Sequence, residues 1–408
     1  MTKIAIVGGG LAGISAARHA ISHGFEIELF ESSDHFGGRL ASAVIDSCVI
    51  DRGFQVVNVN YPELKKLLPV KRVKSKPLFV GLSFIDESGM RRDISPLNIV
   101  SILSPASGSL IEKLRFLKYL ASKSDASQTI QSQSFRFEVL YERVLQPFLR
   151  GVFLTNPDKI RGDVAKRILR YFLLGRPHLI DGGVSNLIPA LLAGIPELRL
   201  HSSSKVMSVV HDPVSHLFTL HIQGSGQATT FENFDFVVIA TNGKAGEING
   251  TSGGNPREWL ASTAVYHKVK KLPKSNHKLF LGASFVNSLI VSDANETYAN
   301  ATYSLIATTF LGELTDSMWE LNRNEYEQDI ADLYNCSPKD LQLISIAAVY
   351  NSLPLFSPSD SAMQQTSIID PDNDRIFYAG DAFDEPSQNG ALRSGRTAIE
   401  KILQEFLD

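Results

Sequence analysis

The sequence has few cysteines and no excess of either charge, and these two absences exclude several classes of protein. Cys48 and Cys336 are the only cysteines in 408 residues. They are too few for a disulfide framework and form no C-x-x-C pair for zinc or redox chemistry. We therefore expect a reducing compartment, the cytoplasm. Forty basic residues against 43 acidic ones give a net charge of −3, which lacks the basic excess typical of nucleic-acid-binding proteins.

Long apolar runs and metal-binding motifs are missing as well. No stretch approaches the roughly 18 uncharged apolar residues of a membrane-spanning helix. The ten histidines contain no H-E-x-x-H motif and no compact triad, so we expect no metal site. The one concentrated basic stretch, Val70–Lys76, is interpreted as a solvated face, and peripheral contact with a membrane is the alternative.

What is present is the composition of a globular protein. Hydrophobic residues make up 43% and charged residues 20% of the chain, close to globular averages. A length of 408 residues exceeds one typical hydrophobic core, so we expect two packed domains.

The start of the chain combines a strand, a glycine-rich turn and a helix. Lys3–Val7 is a β-branched run, a helical pattern covers Leu11–Ser22, and Phe25–Phe30 has the pattern of a second strand. The turn between the first strand and the helix has the spacing G-x-G-x-x-G. This arrangement predicts a β-α-β unit that binds a dinucleotide.

Each glycine of the turn has a separate predicted role. Gly8 makes the tight turn, Gly10 lets the backbone approach a pyrophosphate, and Gly13 lets the helix pack on the strand. The pyrophosphate would then face the helix N-terminus. Glu31, 21 residues after Gly10, would accept hydrogen bonds from the adenosine ribose. This pattern alone does not separate NAD from FAD.

Further motifs lie at both ends of the chain. Phe36–Arg39 (FGGR) and Asp51–Gln55 (DRGFQ) follow the first unit, and Arg375–Asp381 (RIFYAGD) and Ser387–Arg396 (SQNGALRSGR) precede or open a last helix, Ala391–Phe406. In this combination the sequence resembles the flavin-containing amine oxidase superfamily, which includes protoporphyrinogen oxidases and phytoene-desaturase-like enzymes.

The resemblance implies FAD as the cofactor. Arg39 would place a guanidinium beside the pyrophosphate, and Asp381 would accept from the ribityl hydroxyls. The amides that begin the last helix, from Asn389 onward, would point at the flavin N1 and C2 oxygen. Val206 resembles the family position whose backbone meets adenine, although it also suits a buried strand. Since no cysteine lies near Gly380, we expect FAD to be bound non-covalently.

The expected cofactor-binding residues come from four parts of the chain: Gly8, Gly10, Leu11, Ala12, Gly13, Glu31, Gly38, Arg39, Gly53, Phe54, Gln55, Val206, Gly380, Asp381, Asn389, Gly390 and Ala391. No catalytic side chain is assigned, because the flavin supplies the chemistry. The weak candidates for a wall near the flavin ring are Phe54, Gln55, Tyr350 and Phe383. Asp384 and Glu385 are interpreted as solvated turn residues.

Because both chain ends contribute to one nucleotide-binding unit, we expect a discontinuous α/β fold. The Rossmann-like FAD-binding domain is assigned to 1–75, 178–260 and 355–408. A second α+β substrate domain of mixed sheet and helices is assigned to 76–177 and 261–354. Within the second domain, apolar spacing predicts amphipathic helices over Leu110–Ser122 and Phe135–Arg150, and strands over 77–86, 279–292 and 302–311.

The expected activity is that of an FAD-dependent oxidase or dehydrogenase. It would dehydrogenate a C–N or C–C bond of a small, largely apolar substrate by hydride transfer to flavin N5 and pass the electrons to oxygen or a quinone. Pro386–Gln388 has no aromatic residue where some amine oxidases place a tyrosine of the amine cage, so this segment looks closer to the desaturase and protoporphyrinogen oxidase branch. The alternatives are a carotenoid or polyene desaturase, a non-redox flavoenzyme of the sugar-mutase type, a flavin-binding partner protein and an NAD-dependent dehydrogenase.

Overall fold

The computed structural model describes residues 2–53, 56–68, 73–78, 81–95, 98–123, 126–175, 177–224, 228–242, 248–253, 257–273, 278–282, 284–359 and 368–406. The strands, in chain order, are β1 Lys3–Val7, β2 Glu26–Phe30, β3 Ser42–Ile45, β4 Cys48–Asp51, β5 Val57–Asn58, β6 Ser75–Pro77, β7 Gly81–Ile85, β8 Arg91–Ile94, β9 Pro177–Ile180, β10 Leu200–His201, β11 Lys205–His211, β12 Phe218–Gln223, β13 Ala228–Phe234, β14 Phe236–Ile239, β15 Trp259–Lys270, β16 Lys278–Leu281, β17 Asn287–Ile290, β18 Tyr303–Leu311, β19 Gln342–Pro354 and β20 Ile376–Tyr378. The helices are α1 Leu11–Ser22, α2 Pro62–Leu67, α3 Ile99–Leu103, α4 Leu110–Ala121, α5 Glu138–Leu140, α6 Gln146–Phe153, α7 Gly162–Leu174, α8 Ile188–Leu192, α9 Val291–Ala294, α10 Asp316–Tyr334 and α11 Gln388–Phe406.

A five-stranded parallel sheet, which we call the parallel sheet, has the order β10-β2-β1-β14-β20. Its central strand is fully buried from Ile4 to Ile6, as expected for a sheet covered on both faces. Helices α1 and α11 pack together: the Ser15 hydroxyl donates to the Leu392 carbonyl at 2.6 Å. A Cβ added at Gly395 would lie 2.0 Å from the Ala12 carbonyl oxygen. The first and last segments of the chain therefore meet in one unit.

A seven-stranded sheet, which we call the mixed sheet, has the order β19-β15-β18-β17-β16-β7-β8. Only the β16–β7 pair within it is parallel. Strand alternation directs one face toward α10, where Trp319 is buried against Val265 and Phe310. Helices α4 to α7 build a separate apolar cluster against the β7–β16 end of this sheet, around Phe84 and Leu281. A π-helical turn, residues 141–145, joins α5 directly to α6.

Smaller sheets connect the two units. The antiparallel β11-β12-β13 sheet packs on one face of the parallel sheet, where Phe218, Leu220 and Phe234 are fully buried. The β5-β9-β6 sheet lies where the chain leaves the unit built on the parallel sheet and returns to it. Of the helices in the described residues, none has the length and apolarity needed to cross a membrane.

The α/β fold with a parallel sheet and a mixed sheet is confirmed, and most element boundaries agree with the sequence to within a few residues. The strand expected over 279–292 is wrong: the structure has β16, then β17, then the helical turn α9. The last helix begins at Gln388 rather than Ala391, because Ser387 precedes it and its hydroxyl accepts from the Gly390 amide. The domain boundaries themselves stay a prediction.

Candidate functional site

A large cavity of about 1340 Å³ lies between the parallel sheet and the mixed sheet. One group of lining residues belongs to the parallel sheet and its loops, and the other to the mixed sheet and helices α3 to α7. We call these two parts the nucleotide half and the substrate half of the cavity. The volume exceeds the ~300–1,000 Å³ of typical small-molecule sites, so it has room for a dinucleotide and a substrate together.

The start of α1 forms the first wall of the nucleotide half. Gly8 has a φ of +108°, and a Cβ there would lie 2.6 Å from the Ala240 carbonyl oxygen. A Cβ at Gly13 would lie 1.9 Å from the Gly8 carbonyl oxygen, whereas one at Gly10 would have no neighbour within 4 Å. Gly8 and Gly13 are thus required by close backbone packing, and Gly10 borders open space. The Cβ of a larger residue at Gly10 would fill that space.

Within the described residues, no side chain caps the N-terminus of α1. Gly10 is the N-cap, and the first turn of the helix has no acidic residue. Leu11 and Ala12 line the cavity. The first amides of a helix carry partial positive charge and lack intrahelical acceptors, so this end is suited to an anionic group.

Glu31 follows β2 and faces the same part of the cavity. Its Oε2 accepts from the Gly9 amide at 2.8 Å, and its Oε1 accepts from the Ser33 amide and hydroxyl, both at 2.8 Å. These bonds hold the carboxylate against the glycine-rich turn. Since each carboxylate oxygen has two lone pairs, Oε2 retains acceptor capacity toward the cavity.

Arg39 and Asp381 form an ion pair across the cavity wall. Nη2 of Arg39 lies 2.6 Å from Oδ1 of Asp381, and its Nη1 donates to the Ser352 carbonyl at 2.8 Å. The guanidinium also lies 5.4 Å from the centroid of the Trp259 ring. The sequence predicts each residue near the cofactor but not their contact, which joins residues 342 positions apart.

Four further predicted residues also line the cavity: Gly38, Gly53, Val206 and Gly380. Gly38, with φ +59°, is close to Gly10, since a Cβ on it would lie 3.2 Å from the Gly10 Cα. Phe54 and Gln55 lie outside the described residues.

Asp51 supports the loop that carries Gly53. Its carboxylate accepts from the Tyr298 hydroxyl at 2.7 Å, the Ser42 hydroxyl at 2.7 Å and the Val184 amide at 3.0 Å. The Tyr266 hydroxyl is shared between the Asp51 and Gly53 carbonyls. Burial raises the pKa of Asp51 above its ordinary value, although these hydrogen bonds oppose the rise.

The first turn of α11 and the two residues before it reach the cavity through Pro386, Ser387, Gln388 and Ala391. Asn389 and Gly390 are not among the lining residues. The Asn389 side chain is buried, accepts from the Glu63 amide and donates to Glu385 and the Tyr171 hydroxyl. The amides of Gly390 and Ala391 already donate to Ser387, so the structure corrects the expectation that they are free to face a flavin.

Tyr350 and Phe383, the two weak candidates that can be placed, lie away from the cavity. Tyr350 is 58% exposed, because alternation along β19 turns Val349, its neighbour, toward the cavity instead. Phe383 stacks on Tyr378 with 5.7 Å between ring centroids. Neither residue is among those that line the cavity, and their place near the flavin ring stays a prediction.

Glu385 is also corrected, since it is a fully buried residue and not a solvated one. Its Oε2 lies 3.2 Å from Nη1 of Arg167 on α7 and 3.1 Å from Nη2 of Arg393 on α11. Arg393 also pairs with Asp384, whose side chain is 16% exposed. This cluster connects a helix of the substrate half to the segment that lines the nucleotide half. The arginine partner on α7 could not be found from spacing alone.

The substrate half is lined almost entirely by apolar side chains. Its lining residues on helices α4 to α7 include Phe116, Leu117, Leu140, Val144, Leu145, Phe148, Val152, Ile168, Leu169, Phe172 and Leu173. Those on the mixed sheet include Leu82, Leu279, Leu281, Leu289, Val349 and Leu353. The described residues that line the cavity include two carboxylates, Glu31 and Asp381, and both belong to the nucleotide half.

Five polar residues interrupt this apolar lining and were not foreseen. Two of them, Ser262 and Ser352 on β15 and β19, are hydrogen-bonded to each other through their hydroxyls at 2.8 Å, and the other three are Asn287, Thr309 and Lys113. Asn287 and Thr309 are opposite each other on β17 and β18 and are 6% and 4% exposed. The Asn287 Oδ1 and the Thr309 Oγ1 have no hydrogen-bond partner. Lys113 on α4 lines the cavity and donates to the Ser104 carbonyl at 2.7 Å, while burial lowers its pKa.

Comparison with known proteins gives one family match and several structural likenesses. The family model described as flavin containing amine oxidoreductase matches residues 11–248. Protoporphyrinogen oxidase 2 of Arabidopsis thaliana is 27% identical over 172 residues, which are 39% of this chain and 34% of that protein. The matched region therefore spans about a third of that relative's length.

Among solved structures, cyclohexylamine oxidase from Brevibacterium oxydans superposes with a TM-score of 0.69 and 14% identity over 100% of both chains. Reduced UDP-galactopyranose mutase gives a TM-score of 0.70 and 14% identity over 100% of this chain and 97% of that one. At such identities the likeness concerns the fold.

The family match covers more than half of the chain, and the glycine-rich turn, the acidic residue after β2 and the C-terminal segment meet around one cavity. Neither cysteine is among the cavity-lining residues. The chain therefore belongs to the flavin-containing amine oxidoreductase family, with FAD as its cofactor.

Proposed function

We propose that the enzyme dehydrogenates an apolar, uncharged substrate that lies among helices α4 to α7 and the mixed sheet. The observation that carries this proposal is the apolar lining of the substrate half, in which the described residues include no carboxylate. FAD supplies the redox chemistry by accepting a hydride from a substrate C–H bond.

In this proposal the nucleotide half holds FAD through backbone groups and three charged residues. The free amides at the start of α1 bind the pyrophosphate, and the open space beside Gly10 admits it. Glu31 accepts from the adenosine ribose through its remaining lone pairs. Val206 is adjacent to the adenine. Arg39, held in place by Asp381 and the Ser352 carbonyl, neutralises phosphate charge, and Asp381 orients the ribityl chain.

The lining favours oxidation of a C–C bond, or of an uncharged C–N bond, over oxidation of a charged amine. A buried ammonium requires a nearby carboxylate to offset its lost hydration, because the faces of aromatic rings such as Phe116, Phe148 and Phe172 restore only about 2 kcal/mol. Glu31 and Asp381 are both assigned to the cofactor, which leaves the described part of the substrate half without an anion. An elongated polyene is one substrate that such a lining accommodates.

The same lining disfavours a sugar-mutase activity, although the mutase fold is similar. A nucleotide sugar carries a diphosphate, and its burial requires several cationic partners. In the described substrate half the cationic lining residue is Lys113, which is already bonded to a carbonyl.

Asn287 and Thr309 give the proposed substrate one further feature. A buried polar atom without a partner costs about 1–3 kcal/mol. Because Asn287 and Thr309 both line the cavity, a ligand group that reaches these two atoms would be stabilised by bonding to them. An oxygen acceptor and a hydroxyl together bind a neutral donor such as a hydroxyl or an N–H. The expected substrate therefore has an apolar body with one uncharged hydrogen-bonding group.

The proposed reaction is tested by anaerobic addition of candidate substrates to the yellow protein. We expect apolar cyclic imine precursors or hydroxylated polyenes to bleach the flavin band near ~450 nm, and charged primary amines to leave it unchanged. Bleaching by primary amines alone, or turnover of UDP-galactose without an electron acceptor, would contradict the proposal.

Substitution of the polar pair separates substrate binding from stability. Thr309→Val removes an unpaired buried hydroxyl, so stability should be unchanged or higher. The KM for the substrate should rise about tenfold, the cost of one lost hydrogen bond. Ser83→Ala is the matched control, because the Ser83 hydroxyl is also buried without a partner but is not among the lining residues. Equal KM values for both variants would remove Thr309 from the substrate site.

A further inference from the structure

Helices α3 and α4 expose an unusual number of large apolar side chains. On α3 these are Ile99, Val100 and Leu103, which are 71%, 79% and 54% exposed. On α4 they are Leu110, Ile111, Leu114 and Leu117, which are 53% to 61% exposed. Seven of the 21 exposed large hydrophobic residues found in the described chain thus fall within 19 positions. We call these seven residues the apolar face.

The apolar spacing of α4 predicts an amphipathic helix with one buried side, but the helix is apolar on two sides. Phe116, Tyr119 and Leu120 are buried in the core of α4 to α7. Leu110, Leu114 and Leu117 follow the i, i+4, i+7 spacing of a single helical face that points outward. Within the described residues nothing covers this second stripe, so burying it in an apolar phase would stabilise the protein.

The apolar face lies at an opening of the substrate half. Leu117 on α4 and Leu173 near the end of α7 both line the cavity, yet they are 55% and 57% exposed. Side chains that line the cavity and are also exposed to solvent lie where the cavity opens to the outside, which we call its mouth. Ile102 on α3 also lines the cavity, and Lys113 joins α4 to the end of α3 at Ser104. The apolar face therefore borders the mouth on the side of α3 and α4.

The charge of this region is opposite to that of the whole chain. Residues 98–123 contain Lys113, Arg115, Lys118 and Lys123 against one acid, Glu112, which gives a net charge of +3 from four positive charges and one negative. Glu112 is engaged in the capping box of α4 and accepts from the Val139 amide. Arg115 and Lys118 are exposed and stand beside the apolar face.

We propose that the apolar face docks on the surface of an anionic lipid bilayer, with α3 and α4 lying in the interface. An outward apolar stripe next to exposed basic residues is the pattern of an interfacial helix, and basic residues are attracted to anionic headgroups. The mouth of the substrate half then opens toward the acyl chains. That an apolar substrate enters by this route rests on the proposed function, whereas the docking itself does not.

A second copy of the chain fits this surface less well. The commonest dimers bring the same patch of both subunits together. Such a dimer would place two segments of charge +3 against each other and would close both cavity mouths. Charge complementarity therefore favours the bilayer.

The test is co-sedimentation of the intact flavoprotein with vesicles, measured without any substrate. Wild type should bind vesicles of phosphatidylcholine mixed with phosphatidylglycerol, and bind pure phosphatidylcholine vesicles more weakly. Leu114→Ser, at a position outside the cavity lining, should weaken binding about tenfold through lost apolar burial. Lys118→Glu should weaken binding to the mixed vesicles about fivefold or more, from ~1 kcal/mol per basic residue, with little effect on pure phosphatidylcholine.

Two control variants share the chemistry of these changes but lie elsewhere. Leu321→Ser alters a leucine on α10 that is 84% exposed, and Lys339→Glu reverses an exposed charge. Neither should change vesicle binding, and all four variants should retain flavin absorbance and circular dichroism. Absence of wild-type binding to either vesicle would overturn the proposal. So would equal losses in the controls, or a wild-type dimer that Leu114→Ser dissociates without any vesicle binding. Failure of the bleaching assay alone would leave the docking intact.

Discussion

The two halves of the cavity are specified in different ways. In the nucleotide half, the determinants are backbone positions: Gly8 and Gly13 exist because neighbouring backbone atoms leave no room for a Cβ. In the substrate half, the determinants are side chains from strands and helices far apart in the sequence, such as Phe148, Leu279 and Leu353. Because backbone constraints require glycine at fixed spacing, they can be recognised in the sequence as a short motif. An apolar lining comes from side chains far apart in the sequence and leaves no such motif.

The two halves of the cavity also differ in the charged groups that they present to a ligand. The nucleotide half presents a helix terminus, Arg39 and two carboxylates to the cavity, and these groups are held by hydrogen bonds from the protein. The substrate half presents apolar surface with two unpaired polar atoms, on Asn287 and Thr309. A charged cofactor and an uncharged substrate are therefore accommodated side by side, and the contrast itself supports the assignment of the two halves.

The sharpest test of this contrast compares two glycines of one turn. Gly13→Ala should unfold or strongly destabilise the protein, by about 3 kcal/mol or more, because its Cβ would lie 1.9 Å from the Gly8 carbonyl oxygen. Gly10→Leu should leave the fold intact, since its φ of −77° suits any residue and its Cβ meets no protein atom. FAD affinity should nevertheless fall about a hundredfold or more.

The measurements are thermal unfolding of the apoprotein and the ratio of flavin to protein after purification. Retained flavin in Gly10→Leu would contradict the placement of the pyrophosphate at α1. Loss of stability in Gly10→Leu equal to that in Gly13→Ala would show that both glycines serve packing only, and the distinction between them would disappear.

A second test concerns the link between the halves. Glu385→Gln keeps the shape of the side chain but leaves Arg167 and Arg393 without their buried carboxylate partner. Removing one member of a buried ion pair costs about 3 kcal/mol, so the midpoint of denaturant unfolding should fall accordingly. Flavin content should fall too, because the adjacent segment Pro386–Gln388 lines the cavity.

Glu405→Gln is the control for this experiment, since Lys401 and Glu405 form an exposed i,i+4 pair at 3.7 Å. Its effect should be about 0.3 kcal/mol. If the two substitutions had equal effects, Glu385 would be no more than a solvated turn residue, as its sequence context suggests.

The features that the sequence predicted are those specified by local motifs, and the features that it missed depend on packing between distant elements. The strand-turn-helix of residues 3–22 and the acid at Glu31 were predictable, because the glycine spacing and the flanking strands are local features of the sequence. The meeting of both chain ends was predicted from the resemblance of the terminal motifs to a known family. The contact of Arg39 with Asp381 and the burial of Glu385 were not, since each depends on which distant element packs nearby. That Val349 and not Tyr350 lines the cavity was not predictable either, because strand alternation can be assigned from sequence only when the register is known.

Helix α4 in the substrate half shows that apolar periodicity predicts a helix but not which of its faces is buried. The spacing in α4 predicted an amphipathic helix correctly, but periodicity does not tell which apolar positions are covered. Phe116 is buried and Leu114 is 58% exposed, although both fit the apolar pattern. Only the packing of α5 to α7 on one side of α4 separates them.

The smallest expected effect is on how the free energy of unfolding depends on pH. It distinguishes the charged edge of the parallel sheet from the apolar substrate half. Glu28 on β2 accepts from His201 Nε2 at 2.7 Å and Arg199 Nη1 at 2.5 Å. Burial raises the pKa of Glu28, but the hydrogen bonds from His201 and Arg199 outweigh it, so its pKa lies below the ordinary 4.5. A carboxylate with a lowered folded-state pKa stabilises the protein above its unfolded pKa, and this contribution is lost as pH falls through the folded pKa.

Glu28→Gln should therefore lower the free energy of unfolding by about 1 kcal/mol at neutral pH, and the difference from wild type should close as pH falls below 4.5. Glu26→Gln is the control, because Glu26 lies 3.8 Å from the same arginine and is 40% exposed, so its effect should be near zero at every pH. Denaturant midpoints measured across this pH range provide the comparison. If the loss of unfolding free energy in Glu28→Gln persisted unchanged at acidic pH, Glu28 would act through packing and not through charge. The edge of the parallel sheet would then be stabilised by packing, as the substrate half is.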